Sequence, residues 1–216
     1  MKYIIFSDSH LSESFDNKKF IFLKRIIKSA DKIIINGDFW EAYEFSIDDF
    51  TKSKWSDIFN LLKSKNAIYL YGNHDKKEYA NKEINKFSVK QNKRLVLKSG
   101  NKTFYIEHGD RITPLWDRYF KRMPRYINKF LYYLEKLALY ALGLKGIGIL
   151  YRRFNDDMKN KVSRHLKTNE YLVCGHSHYM EIDEKNHFIN TGFVKHGIGQ
   201  YITIEDGEVT LHNDRY

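Results

Sequence analysis

Ile33-Ile-Ile-Asn-Gly-Asp38 is a short apolar run that stops on a glycine and a carboxylate. Three branched residues in a row are too few for a helix and suit a strand buried on both faces. The same design occurs at Tyr3-Ile-Ile-Phe6, followed by Asp8-Ser-His10, and at Ala67-Ile-Tyr-Leu-Tyr71, followed by Gly72-Asn-His-Asp75. Between these runs Phe20, Leu23, Ile26 and Ile27 recur at helical spacing, as do Trp55, Ile58, Phe59 and Leu62. The alternation predicts β-α-β-α-β and hence a parallel sheet flanked by helices.

Downstream, Arg94-Leu-Val-Leu97 and Thr103-Phe-Tyr-Ile-Glu107 flank Ser99-Gly-Asn101, whose composition suits a hairpin turn. Tyr171 to Cys174, His187 to Asn190, Gln200 to Ile204 and Glu208 to His212 continue the strand pattern, the last pair joined by Asp206-Gly207. Between the two groups, residues 115 to about 166 read as helical, with Phe130, Leu131, Leu134, Leu137, Ala138, Ala141 and Leu142 forming a broad apolar stripe. A chain of 216 residues can bury its surface around one core, so a single domain over 1–216 is expected, with a basic and apolar helical cap inserted at about 114–167.

Apolar residues make up 42% of the chain and only two prolines occur, Pro114 and Pro124, which argues against disorder and against a proline-rich linker. Four apolar residues separate Met1-Lys2 from Ser7, too few for a secretion signal, so a cytoplasmic location is expected. The lone Cys174 has no partner for an internal disulfide and reads as a small buried hydrophobe. The net charge of +10 is localised: residues 111–167 hold 14 Lys and Arg against four Asp and Glu, while the remainder balances 23 against 23.

Asp8-Ser-His10, Gly37-Asp38, Gly72-Asn-His-Asp75, Glu107-His-Gly-Asp110 and Gly175-His-Ser-His178 each follow an apolar run. In open α/β sheets, side chains distant in sequence converge beyond the carboxyl ends of strands. One His-Ser-His or one Gly-Asp alone is an ordinary loop; five such clusters in register point to a shared site. Carboxylate, amide and imidazole donors without thiolate suit Mn²⁺, Fe or Zn²⁺ rather than a structural cysteine-zinc site.

Asp8-x-His10, Gly37-Asp38, Gly72-Asn-His-Asp75, His108 and Gly175-His-x-His178 together resemble the ordered signature of the calcineurin-like metallophosphoesterase family, and Asn190-Thr-Gly192 resembles its late Asn-x-Gly turn. The resemblance implies an α/β fold of two packed mixed β-sheets flanked by helices. It also implies a first metal on Asp8, His10 and His178, a second on Asn73, His108 and His176, and Asp38 bridging them. His74 takes the place of the catalytic histidine, with Asp75 as the partner that orients it. The cofactor implied is a pair of divalent ions, Mn²⁺ first and Fe or Zn²⁺ as alternatives. Two ions roughly 3.5–4 Å apart can acidify a water held between them and neutralise phosphoryl oxygens.

The helical segment bears on substrate. It joins Arg111, Arg118 and Arg122, the candidate contacts to an anionic substrate, to the apolar stretch Phe130 to Tyr151. Glu135, Lys136 and Lys145 interrupt that stretch, so it is not a membrane span; an amphipathic cap that takes acyl chains or rests on an anionic membrane surface fits better. A helical insertion after His-Gly-Asp, with Gly37-Asp-Phe-Trp-Glu41, resembles the UDP-2,3-diacylglucosamine diphosphatase branch, although Gly-Asn-His-Asp stands where that branch has Gly-Asn-Arg-Asp. The leading expectation is therefore a pyrophosphate of a nucleotide- or lipid-linked substrate. The alternatives are a broad phosphodiesterase, phosphatase or nuclease that uses the basic segment on nucleic acid, and a metal-binding scaffold without catalysis. Oligomeric state is not legible in the sequence.

Overall fold

In the computed structural model, which describes residues 1–113 and 123–216, the chain runs through β1 (Tyr3–Phe6), α1 (Asn17–Lys28), β2 (Lys32–Asn36), α2 (Ile47–Lys52), α3 (Phe59–Ser64), β3 (Ile68–Leu70), β4 (Lys90–Asn92), β5 (Leu95–Ser99), β6 (Lys102–Ile106), α4 (Arg125–Val162), β7 (Glu170–Cys174), β8 (Glu181–Asp183), β9 (Phe188–Asn190), β10 (Val194–Lys195), β11 (Ile198–Glu205) and β12 (Glu208–Arg215). One sheet has the order β10-β11-β1-β2-β3-β4, with β12 paired to β11; the other has the order β5-β6-β7-β9-β8. Strands β1, β2, β3 and β4 are parallel, and so are β6, β7 and β9. Both sheets are mixed, as expected.

Alternation along the central strands divides the interior into two cores. Ile4, Phe6, Ile33 and Ile35 face α1, whose Phe22, Leu23, Ile26 and Ile27 are buried against them. Ile5 and Ile34 point the other way, onto Phe104, Ile106, Val173 and Ile189 of the second sheet. A strand with apolar residues on both faces is therefore the filling of a sandwich, which is why these runs are continuous rather than alternating. Helix α1 starts where Asp16 Oδ1 accepts the N–H groups of Lys18 and Lys19 at 3.0 and 3.1 Å, and Arg25 and Lys28 lie in its last turn, both favourable to the helix dipole.

Three strands lack a sequence signal. Lys90-Gln-Asn92 and Glu181-Ile-Asp183 are short and polar, and Val194-Lys195 is two residues long; their pairing partners recruit them. The expected helix over Trp55–Leu62 is divided into a 3-10 turn, Lys54–Ile58, and α3. The short α2 was also unforeseen; Ser46 caps it by accepting the Asp49 N–H at 3.1 Å.

The helical segment is confirmed over Arg125–Val162 and has one break, at Gly143 (φ 67°, ψ 177°). That conformation is open almost only to glycine. It separates a first arm, 125–142, from a second, 144–162. Leu139 and Ile147, one from each arm, pack with Phe193 and Ile198, while Met158 of the second packs on Leu172, Cys174 and Phe188. Cys174 is a buried free thiol as expected, its pKa driven up by burial. Among the described residues no helix is long and apolar enough to cross a membrane.

Candidate metal centre

The carboxyl ends of the parallel strands in both sheets open onto one place. β1 delivers Asp8 and His10, β2 delivers Asp38 and Glu41, β3 delivers Asn73 and His74, β6 delivers His108, and β7 delivers His176 and His178. Glycine makes the convergence possible at two points. A Cβ on Gly37 (φ +83°) would lie 2.5 Å from His108 Nδ1, and one on Gly175 would strike Ser7 and Asp8.

The donor atoms are sorted by their hydrogen bonds. Asp8 Oδ2 accepts the His176 N–H at 3.0 Å, leaving Oδ1 buried without a hydrogen-bond partner. Asp38 Oδ1 accepts the His74 N–H at 2.8 Å, leaving Oδ2 facing His108 Nε2 at 3.2 Å and His10 Nε2 at 3.7 Å. Three imidazoles follow one rule. His10 Nδ1 meets Glu41 Oε2 at 3.1 Å, His108 Nδ1 meets the Asn36 carbonyl at 2.9 Å, and His178 Nδ1 meets Glu135 Oε1 at 2.8 Å. Each of those partners only accepts, so Nδ1 carries the proton and Nε2 turns its lone pair inward.

Inside, lone pair faces lone pair. His178 Nε2 lies 3.2 Å from Asp8 Oδ1. His108 Nε2 lies 3.0 Å from Asn73 Oδ1, which is also 2.9 Å from His176 Nδ1. His10 Nε2 and His176 Nε2 are buried and unpartnered. Among the described residues no Lys or Arg pairs with Asp8 or Asp38; only imidazoles do. Such an array is repulsive unless a proton or a metal cation lies between the donors. Asp8, His10 and His178 place their ligand atoms within 4.8 Å of one another, as do Asp8, Asp38 and His108. Oxygen and imidazole donors at that spacing fit a divalent transition metal.

The electrostatics show a centre that draws positive charge: against burial, Asp38 and Asp8 raise His108, and Glu135 and Asp8 raise His178, so that without an ion protons on these rings balance the carboxylates. Burial works to raise the Asp8 carboxyl, yet His108 and His178 hold it far below its ordinary value. Asp38 is held down likewise, against burial, by His108 and His74. Burial, with Lys195 and His74 nearby, pushes His10 down to about 4. His74 goes the other way: burial opposes its charge, but Glu41 and Asp38 raise it to about 9. The backbone is also unusual, since Asp8, His10, Asp38, His176 and His178 all have positive φ, between 41° and 67°.

All seven residues expected to hold metal thus meet at one centre. Asp75 departs from its expected part. Its carboxylate accepts the N–H groups of Phe39 (2.6 Å), Gly72 (2.7 Å) and Asp38 (3.1 Å), so it braces two ligand loops. Burial and nearby Asp38 push its pKa up to about 7 against those donors. The partner of the His74 ring is Glu41, which lies within 3.0 Å of Nδ1 through both oxygens. Adjacent side chains in a tight loop diverge, so His74 and Asp75 point to different neighbours.

Arg111 is exposed and is not among the residues lining the cavity beside the centre; Arg118 and Arg122 lie outside the described residues. That cavity, about 470 Å³, has His10, Glu41, His74, His176 and His178 at its floor. Its wall is α4, through Leu131, Leu134, Ala138, Tyr151 and Phe154, and Lys195 supplies a cation. Three acceptors or bridges went unrecognised in the sequence: Glu41, Glu135 and Asn155. Asn155 is fully buried on the second arm; its Oδ1 accepts from Ser177 at 2.6 Å and Asn190 at 3.0 Å, which ties α4 to the His176–His178 loop and to the Asn-x-Gly turn. Of the histidines outside the centre, His165 is exposed, His187 packs on Tyr171 and His212 stacks on Tyr201. His196 instead meets Glu135 Oε2 at 3.1 Å.

Residues 1–205 match the family model described as the calcineurin-like phosphoesterase superfamily domain. No curated protein matches significantly in sequence. Among solved structures, the phosphoesterase Yfce from E. coli superposes with a TM-score of 0.51 at 14% identity, covering 95% of this chain and 89% of that chain. A dimetal phosphatase from Danio rerio gives 0.51 at 8% identity over 100% and 96%. Vps29 from Entamoeba histolytica, solved with Zn²⁺, gives 0.48 at 14% identity over 100% and 98%. At these identities the first two likenesses speak for the fold.

Proposed function

Since the chain belongs to the calcineurin-like phosphoesterase superfamily, we propose that it hydrolyses a pyrophosphate bond in a nucleotide- or lipid-linked substrate such as UDP-2,3-diacylglucosamine. Family membership makes it a metal-dependent phosphoesterase, a hydrolase. In the proposed arrangement two divalent ions, Mn²⁺ first among them, are held by Asp8, His10 and His178 on one side and by Asn73, His108 and His176 on the other, with Asp38 common to both. When bound, such a pair supplies Lewis acidity and a nucleophilic water at neutral pH. The observation that carries this reading is the set of buried donor atoms left without a hydrogen-bond partner, Asp8 Oδ1, His10 Nε2 and His176 Nε2, where the strand ends converge.

The protein's own groups do the rest. Glu41 fixes the His74 ring through Nδ1 and keeps it charged near neutrality, so that Nε2 can hand a proton to the departing oxygen. Lys195, which lines the same cavity, offers an ammonium to a second phosphate. The apolar α4 wall supports an acyl-bearing substrate, since a purely polar ligand gains nothing from Leu131, Leu134 and Phe154. Outside the cavity, Phe130, Tyr133, Leu137, Tyr140 and Ile149 are exposed among Lys129, Lys136, Lys145 and Arg152. That pattern supports docking on an anionic membrane surface.

A hydrolysis panel in Mn²⁺ tests the reading, comparing a UDP-linked diacyl sugar, simple nucleotide diphosphates, a model diester and short nucleic acids. Preference for the acylated compound is expected. Equal rates with and without acyl chains defeat the lipid assignment, and preference for nucleic acid, with steep salt dependence, favours the nuclease alternative.

A further inference from the structure

His10 and His108 take their outer partners from Glu41 and from the Asn36 carbonyl, both on the strand-end loops that carry the centre. His178 does not. Its Nδ1 is met by Glu135, which comes from the first arm of α4.

Glu135 has every acceptor position used. Oε1 takes His178 Nδ1 at 2.8 Å and the Tyr151 hydroxyl at 2.9 Å; Oε2 takes Lys195 Nζ at 2.8 Å and His196 Nε2 at 3.1 Å. Its side chain is 11% exposed. The rest of the arm is thinly held: between 125 and 142 only Asn128 and Leu139 are buried. The carboxylate is therefore a main anchor of the arm, and the same contact sets which nitrogen of His178 faces Asp8.

We propose that Glu135 is a positioning residue for His178, and that it couples the seating of the first α4 arm to metal capture by Asp8, His10 and His178. The inference rests on the metallophosphoesterase reading above. Coupling of this kind is reciprocal: a seated arm favours the ion, and the ion favours a seated arm. The wall of the substrate cavity is then ordered only around a loaded centre, which keeps substrate from settling on an incomplete site.

The test uses the full chain, stripped of metal and titrated with Mn²⁺ by calorimetry, with hydrogen exchange of residues 125–142 followed in parallel. Wild type should take up two ions, with slower exchange in the arm once loaded. Glu135→Ala should weaken one of the two sites by about 10–100-fold, the usual scale for removing such an outer partner, and should lose the Mn²⁺-dependent slowing. In excess Mn²⁺ turnover should recover for a small model diester, which does not need the cavity wall. Tyr151→Phe, which removes one bond to the same oxygen, should shift the same site less, and Lys24→Ala, at an exposed position on α1, should shift nothing. Should Glu135→Ala fold poorly, Glu135→Gln carries the comparison at equal volume. Two sites of wild-type affinity in both Glu135 variants overturn the coupling alone; a wild-type protein that takes up no Mn²⁺ overturns the metal reading and the coupling with it.

Discussion

Glu41 grips His74 with both carboxylate oxygens, at 2.9 and 3.0 Å from Nδ1, while Oε2 also reaches His10 Nδ1 at 3.1 Å. One buried carboxylate thus serves both His10, in the ring of converging donors, and His74, which lines the cavity. Glu41→Gln cannot accept from both rings with full charge. Turnover is expected to fall about 10–100-fold, with Mn²⁺ affinity weakened in the same variant. Unchanged kcat together with unchanged Mn²⁺ affinity would remove Glu41 from the site.

His74 faces the cavity without belonging to the inward ring of donors. His74→Ala should retain both ions, counted by elemental analysis after dialysis, and lose about 10²–10⁴-fold in kcat. A metal-replete variant that turns over at the wild-type rate would show that the imidazole takes no part.

Repulsion among Asp8, Asp38 and the facing lone pairs is relieved by a cation, so the ion should stabilise the fold. At Mn²⁺ about 100 times its Kd, linkage gives about 2.7 kcal/mol, or a Tm rise of about 5–10 °C for a chain of this length. Chelation with EDTA should reverse it. A melting temperature indifferent to both would count against a cation at this place.

Lys159, buried on the second arm of α4, meets Asp156 at 2.9 Å and Glu181 and Asp183 at 3.1 Å. Burial opposes its charge, but the three carboxylates raise its pKa well above the ordinary value, and Asp183 is lowered, against burial, by Asn186 and Lys159. A raised lysine stabilises the fold below its unfolded pKa and ceases to as pH climbs through the folded one; a lowered aspartate stabilises above its unfolded pKa and ceases to as pH falls through the folded one. The cluster should therefore contribute across pH 5–9. Lys159→Met should cost about 1.5–3 kcal/mol there, measured by urea unfolding. The penalty should shrink below about pH 4, near the ordinary Asp pKa. A penalty constant down to pH 2 would show that charge is not its source.

What the sequence made legible was decided at strand ends. Ile33-Ile-Ile35 and its counterparts are apolar on both faces because each strand is covered on both, and glycines and ligands follow because the chain must turn there. Those signals are local, so Asp8, Asp38, Asn73 and the four histidines could be picked out. Glu41 and Glu135 carried no such signal: each is a common residue in a helical or loop context, and its part depends on what folding brings opposite. Asp75 shows the converse hazard, since adjacency to His74 suggested a contact that the turn directs elsewhere. Lys90–Asn92 and Glu181–Asp183 escaped notice because their neighbours, not their own side chains, make them strands.

The left-handed backbone at Asp8, His10, Asp38, His176 and His178 has a kinetic corollary. Each such residue is held against its own steric preference at a cost of about 1–3 kcal/mol, met by the surrounding sheets as the polypeptide matures. An arriving ion then finds the backbone that carries its donors already wound into shape, so the slow events left in uptake should be loss of water from the hydrated cation and seating of the first α4 arm.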